Sequence, residues 1–319
     1  MRILFRKLLY ISGMLLLISL ISFVAIHAAP NSFFAAGQLN PNITQESIEH
    51  LKAVYGLDKP LWEQYLRWVW AMLHLDFGLS FASGKSVVSE IASRIPITLT
   101  MNAISMVLVF FLSLRLGVEA ALWQGRWVDR GVKQLALVSF AMPSFYLALI
   151  LVLIFGLHLG WFPISGLQSL EPKVGVMQWL DYAWHLAIPI FVMVFGGIGG
   201  LTMYVRSLTL EILKSDYIFF AKARGIDEAT IRRRFILPNL RPSIITILGL
   251  SLPGLIGGSV IIESIFSING MGLLFYQSAL SRDYPVIMGI LIITAFLTLL
   301  GNVLADLALW KLNPYAKRS

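Results

Sequence analysis

Asp216-Tyr-Ile-Phe-Phe-Ala221-Lys222-Ala223-Arg224-Gly225-Ile-Asp-Glu-Ala-Thr-Ile231-Arg232-Arg233-Arg234-Phe-Ile-Leu237-Pro238-Asn-Leu-Arg241-Pro242 is a basic, mostly polar island between two long apolar blocks. Such a segment has no place in hydrocarbon, so it lies in water beside a membrane. Asp216 reads as the N-cap of a first helix, Ala221 and Ala223 keep that helix slim on one side, and Gly225 supplies the left-handed residue that ends it. A second helix is expected to run to Leu237-Pro238, where the proline interrupts it. Two short helices joined at a glycine make a knob that suits a groove on a soluble partner. Charge alone describes only a solvated basic loop. The spacing says more, because Ala221 stands four residues before Gly225 and Pro238 thirteen after it.

The blocks on either side set the class. With 319 residues, 57% hydrophobic and 13% charged, the chain reads as a polytopic membrane protein, and an all-α helical bundle is the expected architecture. There is no cysteine, which removes disulfides, thiolate metal sites and cysteine nucleophiles. The net charge of +8 would suit nucleic acid if it were clustered on one domain, but the cations gather in loops beside the apolar runs. They therefore report topology, and no nucleic-acid partner is expected.

Working outward toward the N-terminus, Arg2, Arg6 and Lys7 precede an apolar run at 8–29. The run is long for a signal core, and Ile26 or His27 stands where cleavage needs a small residue, so it reads as a first span. In the segment 30–95, Leu61, Trp62, Tyr65, Trp68, Val69 and Met72 recur at helical spacing, which predicts an aromatic-rich interfacial helix. Gly78-Leu-Ser-Phe-Ala-Ser-Gly84-Lys85-Ser86 imitates a phosphate loop, but five residues rather than four separate its glycines. The second span is expected at 96–122. Span three, at 134–157, carries Pro143, whose ring should kink it and free backbone carbonyls. Span four, at 185–205, holds Gly196-Gly197 and Gly199-Gly200, which permit close helix packing or a bend. Beyond the island, span five, at 243–265, contains Pro253, Gly254, Gly257 and Gly258, and span six occupies 286–310.

The Lys and Arg count supports this arrangement. The N-terminus, the region 115–133, the island and the tail are rich in cations, whereas the two short outer loops hold only Lys173 and Arg282. Positive residues favour the cytoplasmic side. Six spans with both termini cytoplasmic result: 1–29 is the N-terminal end and first helix, 30–95 an outer segment, 96–310 a five-helix core with a cytoplasmic loop at 207–241, and 311–319 the tail.

The island's spacing resembles the EAA loop of ABC-importer permeases, the loop that docks on the ATPase subunit. Phe219 and Phe220 replace its usual Glu and Ala, and Ala221 keeps the alanine. Most of the chain is similar to the dipeptide, oligopeptide and nickel branch of that family. Gly56-Leu57-Asp58-Lys-Pro60-Leu61, Asp76-Phe77-Gly78-Leu-Ser80, Pro143-Ser144-Phe145, Trp161-Phe-Pro163-Ile-Ser165-Gly166, Glu263-Ser-Ile-Phe266 and Arg282-Asp283-Tyr284-Pro285 carry the resemblance in order. Pro30 lacks a preceding Gly-Asp, Ile268-Asn269-Gly270 replaces Trp-Pro-Gly, and Arg115 stands where an apolar residue or proline is usual. Trp70 with His74-Leu75-Asp76-Phe77-Gly78, and Leu255-Ile256-Gly257-Gly258 with Ile261-Ile262-Glu263, look closest to nickel-importer permeases, which gives nickel a lead over peptides.

The resemblance implies a type I importer permease fold in a bacterial inner membrane and a non-enzymatic subunit. Its expected partners are a second homologous permease subunit in a heterodimer, two cytoplasmic ATPases, an extracytoplasmic binding protein and membrane lipid. ATP would be bound by the partners, so no cofactor and no metal ligands are expected here. Ala221, Ala223, Gly225, Leu237 and Pro238 are the expected docking residues, and Glu263, Pro143 and Pro253 the candidates for the path or its gate. A proton-coupled secondary transporter is the alternative, but it wants ionisable groups at the midplane, and Glu119, Glu263 and Asp306 fall toward span ends. A membrane-embedded hydrolase finds no His-Glu-x-x-His pair and no nucleophile elbow among the scattered histidines.

Overall fold

The computed structural model describes residues 2–28, 59–171, 173–255 and 257–312. In chain order the helices are α1 (Arg2–Ala28), α2 (Leu61–Leu73), α3 (Val87–Leu122), α4 (Trp127–Ala141), α5 (Ser144–Leu151, continued by a π-helical turn Val152–His158), α6 (Val176–Leu213), α7 (Asp216–Ala223), α8 (Glu228–Ile231, continued by a π-helical turn Arg232–Ile236), α9 (Leu237–Ser251, followed by a 3-10 turn Leu252–Leu255), α10 (Val260–Ile265), α11 (Met271–Ser281) and α12 (Tyr284–Leu312). The chain is all-α as expected; among the described residues the β structure is one isolated bridge, Leu79 to Ser86.

The contacts divide the chain into two compact units. The first comprises Met1–Thr98, Ile256–Val260 and Asn269–Val303. Its core joins Phe77, Val87 and Ile91 to Met271 and Leu274 of α11 and to Val286, Ile290 and Ile292 of α12. Helix α2 turns Trp68 and Met72 onto that core, while the Tyr65 hydroxyl lies 2.9 Å from Ser19 of α1. The expected apolar face of this helix is therefore divided, because Leu61 and Trp62 point outward with Leu66, Trp70 and Leu73. Gly272 is required where α11 meets the 259–260 backbone, since a Cβ there would come within 2.7 Å of the Val260 nitrogen.

The second unit comprises Leu99–Leu255, Ile261–Ile268 and Leu304–Ser319. Helices α4 and α6 pack so closely at Gly199 that a Cβ would lie 2.7 Å from the Ala136 carbonyl oxygen. Ser139 accepts from the Gly199 N–H at 3.2 Å and donates to the Phe195 carbonyl, so the crossing is bonded as well as packed. The span-four glycines thus serve close approach at Gly197 and Gly199, inside a helix that runs unbroken from Val176 to Leu213.

Span three departs from expectation. It begins at Trp127, and at Met142-Pro143 it is broken rather than kinked, with 98° between its limbs. Met142 is extended (φ −83°, ψ 119°), as the residue before a proline prefers, and Pro143 takes the N-cap position of α5. Span five is also divided: α9 gives way to the 3-10 turn containing Pro253, Gly258 follows with φ +67°, and α10 resumes at Val260. Asn102 donates to the carbonyl of Leu255 at 2.7 Å, satisfying one acceptor at the break.

Among the described residues, α3, α6 and α12 are long and apolar enough to cross a membrane, and the bent α4–α5 pair makes a fourth candidate. Of the other two expected spans, α1 presents a shorter apolar stretch, Leu9–Ala25, and span five takes its broken form.

Candidate functional site

The polar island folds as a helical hairpin on the ends of α3 and α6. Ser215, not Asp216, occupies the N-cap position of α7; Asp216 is the first helical residue, where its negative charge faces the helix dipole favourably. Ser215 has extended geometry, and its hydroxyl turns back to donate to the carbonyl of Ile212 at 2.5 Å. At the other end the Gly225 N–H donates to the Lys222 carbonyl at 2.9 Å and the Ile226 N–H to that of Ala221 at 3.1 Å. With Gly225 at φ +73°, these two bonds form a Schellman cap, which satisfies carbonyls that would otherwise be orphaned. A Cβ at Gly225 would meet open space, so the demand for glycine here is conformational and not steric.

Asp227 then caps α8, accepting from the Thr230 N–H at 3.0 Å. Hydrogen bonding from Thr230 holds the Asp227 carboxyl below the ordinary carboxylate range. The proline does not interrupt the second helix. The chain widens into the π-helical turn Arg232–Ile236 and continues through Pro238 as α9. Pro238 has no N–H to give to the preceding turn, and the wider turn takes up that missing bond. Asn239 donates its side-chain amide to the Phe235 carbonyl at 2.6 Å.

One core fastens the hairpin. Ile218, Ile231, Ile236 and Leu240 are buried with Val118 of α3 and Val205 of α6, and Leu237 packs against them half-buried. Full burial of such side chains contributes roughly 1.5–3 kcal/mol each, enough to make the hairpin move with α3 and α6. Ala221 is buried on this side. Ala223 and Gly225 are exposed, and Phe219 and Phe220 project outward at 69% and 63% exposure. The expected docking residues therefore fall into two groups: Ala221 and Leu237 seat the hairpin, while Ala223 and Gly225 lie on its free side. Pro238 is half-buried at the start of α9.

The path candidates lie elsewhere in the second unit. Pro143 stands at the 98° break, Pro253 lies in the 3-10 turn, and Glu263 is 1% exposed in α10. Within the basic run, Arg232 pairs with Glu119 of α3 at 2.5 Å, while Arg224, Arg233 and Arg234 are exposed.

Sequence reasoning missed two polar clusters. Asp129 is fully buried and accepts from Arg206 at 2.6 and 3.0 Å and from the Gly125 N–H at 2.9 Å, with the Lys133 ammonium at 3.3 Å. This ties the start of α4 to α6 just before the hairpin. Lys133 was readable as an i,i+4 partner of Asp129, whereas Arg206 is 77 residues away. In the first unit, the turn that imitates a phosphate loop does bind an anion, one supplied by the chain itself. The buried Asp283 carboxylate accepts from Ser80 Oγ at 2.5 Å, the Phe81 N–H at 3.1 Å and the Ala82 N–H at 3.2 Å.

Residues 113–317 match the family model described as binding-protein-dependent transport system inner membrane component, and residues 1–102 match its N-terminal companion. The chain is 38% identical over 303 residues to the oligopeptide transport system permease protein AppB of Bacillus subtilis, covering 95% of each. It is 31% identical over 276 residues to the inner membrane ABC transporter permease protein YejB of Escherichia coli O157:H7, covering 84% of this chain and 75% of that protein.

Proposed function

Since the chain belongs to the family of binding-protein-dependent transport system inner membrane components, we propose that it is the peptide-conducting permease subunit of an ATP-driven importer. The match across 113–317 carries this reading, because it includes the hairpin and every residue of the core that seats it. The name of the Bacillus relative favours oligopeptides as cargo, and that moves the reading away from the nickel suggested by local sequence.

In this mechanism the hairpin docks on a cytoplasmic ATPase through its free side, Ala223, Gly225 and the exposed Phe219 and Phe220, while Ala221, Leu237 and Pro238 keep it locked to α3, α6 and α9. Closure of two ATPases on nucleotide would drag the hairpin, and its shared core would carry α3 and α6 with it. The breaks at Pro143 and Pro253 supply points at which spans three and five change direction, and in this reading Glu263 serves the path or its gate. A second permease subunit completes the path, an extracytoplasmic binding protein delivers cargo, and both termini lie in the cytoplasm of a bacterial cell.

The test is uptake into proteoliposomes holding the full complex, with labelled oligopeptide and labelled nickel offered in parallel. Peptide accumulation that needs ATP and the binding protein supports the reading. Uptake driven by an imposed proton gradient without nucleotide would overturn it, and nickel accumulation without peptide would replace the cargo.

A further inference from the structure

A cavity of about 640 Å³ opens between the end of α3 and the start of the hairpin's second arm. Its polar lining is Glu119, Arg126, Glu228, Arg232 and Arg233, with the Trp123 indole as an apolar wall. Glu119 and Arg232 neutralise each other at 2.5 Å. Arg126 lays its guanidinium over the Trp123 ring, 4.9 Å from the centroid, which leaves its N–H donors free at the edges. Among the described residues neither Arg126 nor Arg233 has a carboxylate partner, and both are exposed. The unmatched charge around the cavity is thus two guanidiniums against one carboxylate, Glu228.

The depth of the cavity identifies the medium it faces. Between Arg94 and Arg115, α3 carries twenty uncharged residues, which at about 1.5 Å each span the roughly 30 Å of a bilayer's hydrocarbon core. Glu119 follows Arg115 by four residues, about 6 Å farther along, so the membrane side of the cavity reaches the roughly 5–7 Å headgroup layer, and Trp123, eight residues and about 12 Å along, borders its aqueous side. Helix α9 gives the same depth independently. Arg241 is the last charge before its apolar run, and the cavity-lining Leu237 precedes it by four residues.

We propose that this cavity binds the phosphate of an anionic phospholipid of the adjoining leaflet, held by Arg126 and Arg233, with the acyl chains leaving along Trp123 and Leu122. Basic pockets between spans on the cytoplasmic side bind such headgroups. The assignment does not depend on the cargo. It gives the hairpin a second attachment, to lipid, beside its attachment to the protein core.

The test is native mass spectrometry of the full chain in detergent, titrated with phosphatidylglycerol, phosphatidylcholine or inorganic phosphate. Wild-type protein is expected to retain one phosphatidylglycerol in preference to phosphatidylcholine, without competition from millimolar inorganic phosphate. Arg126→Gln with Arg233→Gln should weaken that binding roughly 30-fold. Arg130→Gln with Arg234→Gln, which removes the same two charges outside the cavity, should leave it unchanged. Both cavity side chains are exposed, so unaltered thermal unfolding is expected in the variants. Equal lipid retention by wild type and the double variant overturns the proposal. So does a double variant that keeps its lipid but no longer copurifies with the ATPase subunits, an outcome that makes the cavity a protein contact. Displacement by inorganic phosphate alone overturns the lipid assignment in favour of a free-anion site.

Discussion

Gly225 is the position where one side chain has the clearest consequence. Its φ of +73° closes the Schellman cap, and an L residue there costs roughly 1–2 kcal/mol, more when it is β-branched. Because a Cβ would meet open space, the penalty is backbone strain alone. Gly225→Val is therefore expected to unseat the turn and lower transport per ATP hydrolysed, with the protein still inserted. Gly225→Asn, which tolerates the left-handed region, should keep most of the coupling. Parallel uptake and ATPase measurements on the reconstituted complex check both. Asp129 offers a contrasting test, since its carboxylate is buried against Arg206. Asp129→Leu strands a guanidinium and is expected to destabilise the protein by roughly 3–5 kcal/mol, whereas adding Arg206→Met should restore much of that loss in a thermal melt.

At the scale of elements, caps and turns decide what holds still. The α8 cap titrates. Asp227 has a lowered folded pKa, so its contribution is fully present above the unfolded value near 3.9 and is lost as pH falls through the lower folded value. Amide exchange at Thr230 should therefore accelerate in strong acid, and Asp227→Asn should flatten that response. The turn at 80–82 depends on a carboxylate from the start of α12. Asp283→Ala is expected to leave the Phe81 and Ala82 amides unpaired and to raise their exchange by at least tenfold, consistent with loss of roughly 1.5–3 kcal/mol per charge-assisted bond.

For the whole molecule, the proposed orientation rests on the cation distribution and is directly testable. Phosphatase fused at either terminus should be inactive, and phosphatase inserted in the 30–95 segment active, if both ends are cytoplasmic. The helical class, the glycine turn at 225 and a disruption at Pro143 could all be read from local chemistry, because each depends on residues close in sequence. The continuation of the second hairpin helix through Pro238 is not legible in the sequence, since a π-helical turn relieves the proline by a register change that local propensity does not signal. The division of span five is legible only as a cluster of helix-weakening residues, Pro253, Gly254, Gly257 and Gly258. The Asp129–Arg206 pair and the Ser80–Asp283 bond, 77 and 203 residues apart, could not be read at all, since each partner alone is an ordinary polar residue near a span end.

That longest bond has a consequence for how the protein is made. Ser80 and its neighbours leave the ribosome more than two hundred residues ahead of Asp283, a delay on the order of 10–40 s at ordinary elongation rates. Throughout that interval the early turn carries donors whose acceptor does not yet exist, and any chain cut short before α12 keeps them open permanently. A segment translated late thus closes one that emerged long before it, so a quality-control protease that recognises the open turn would distinguish copies that lack α12 from those that have it.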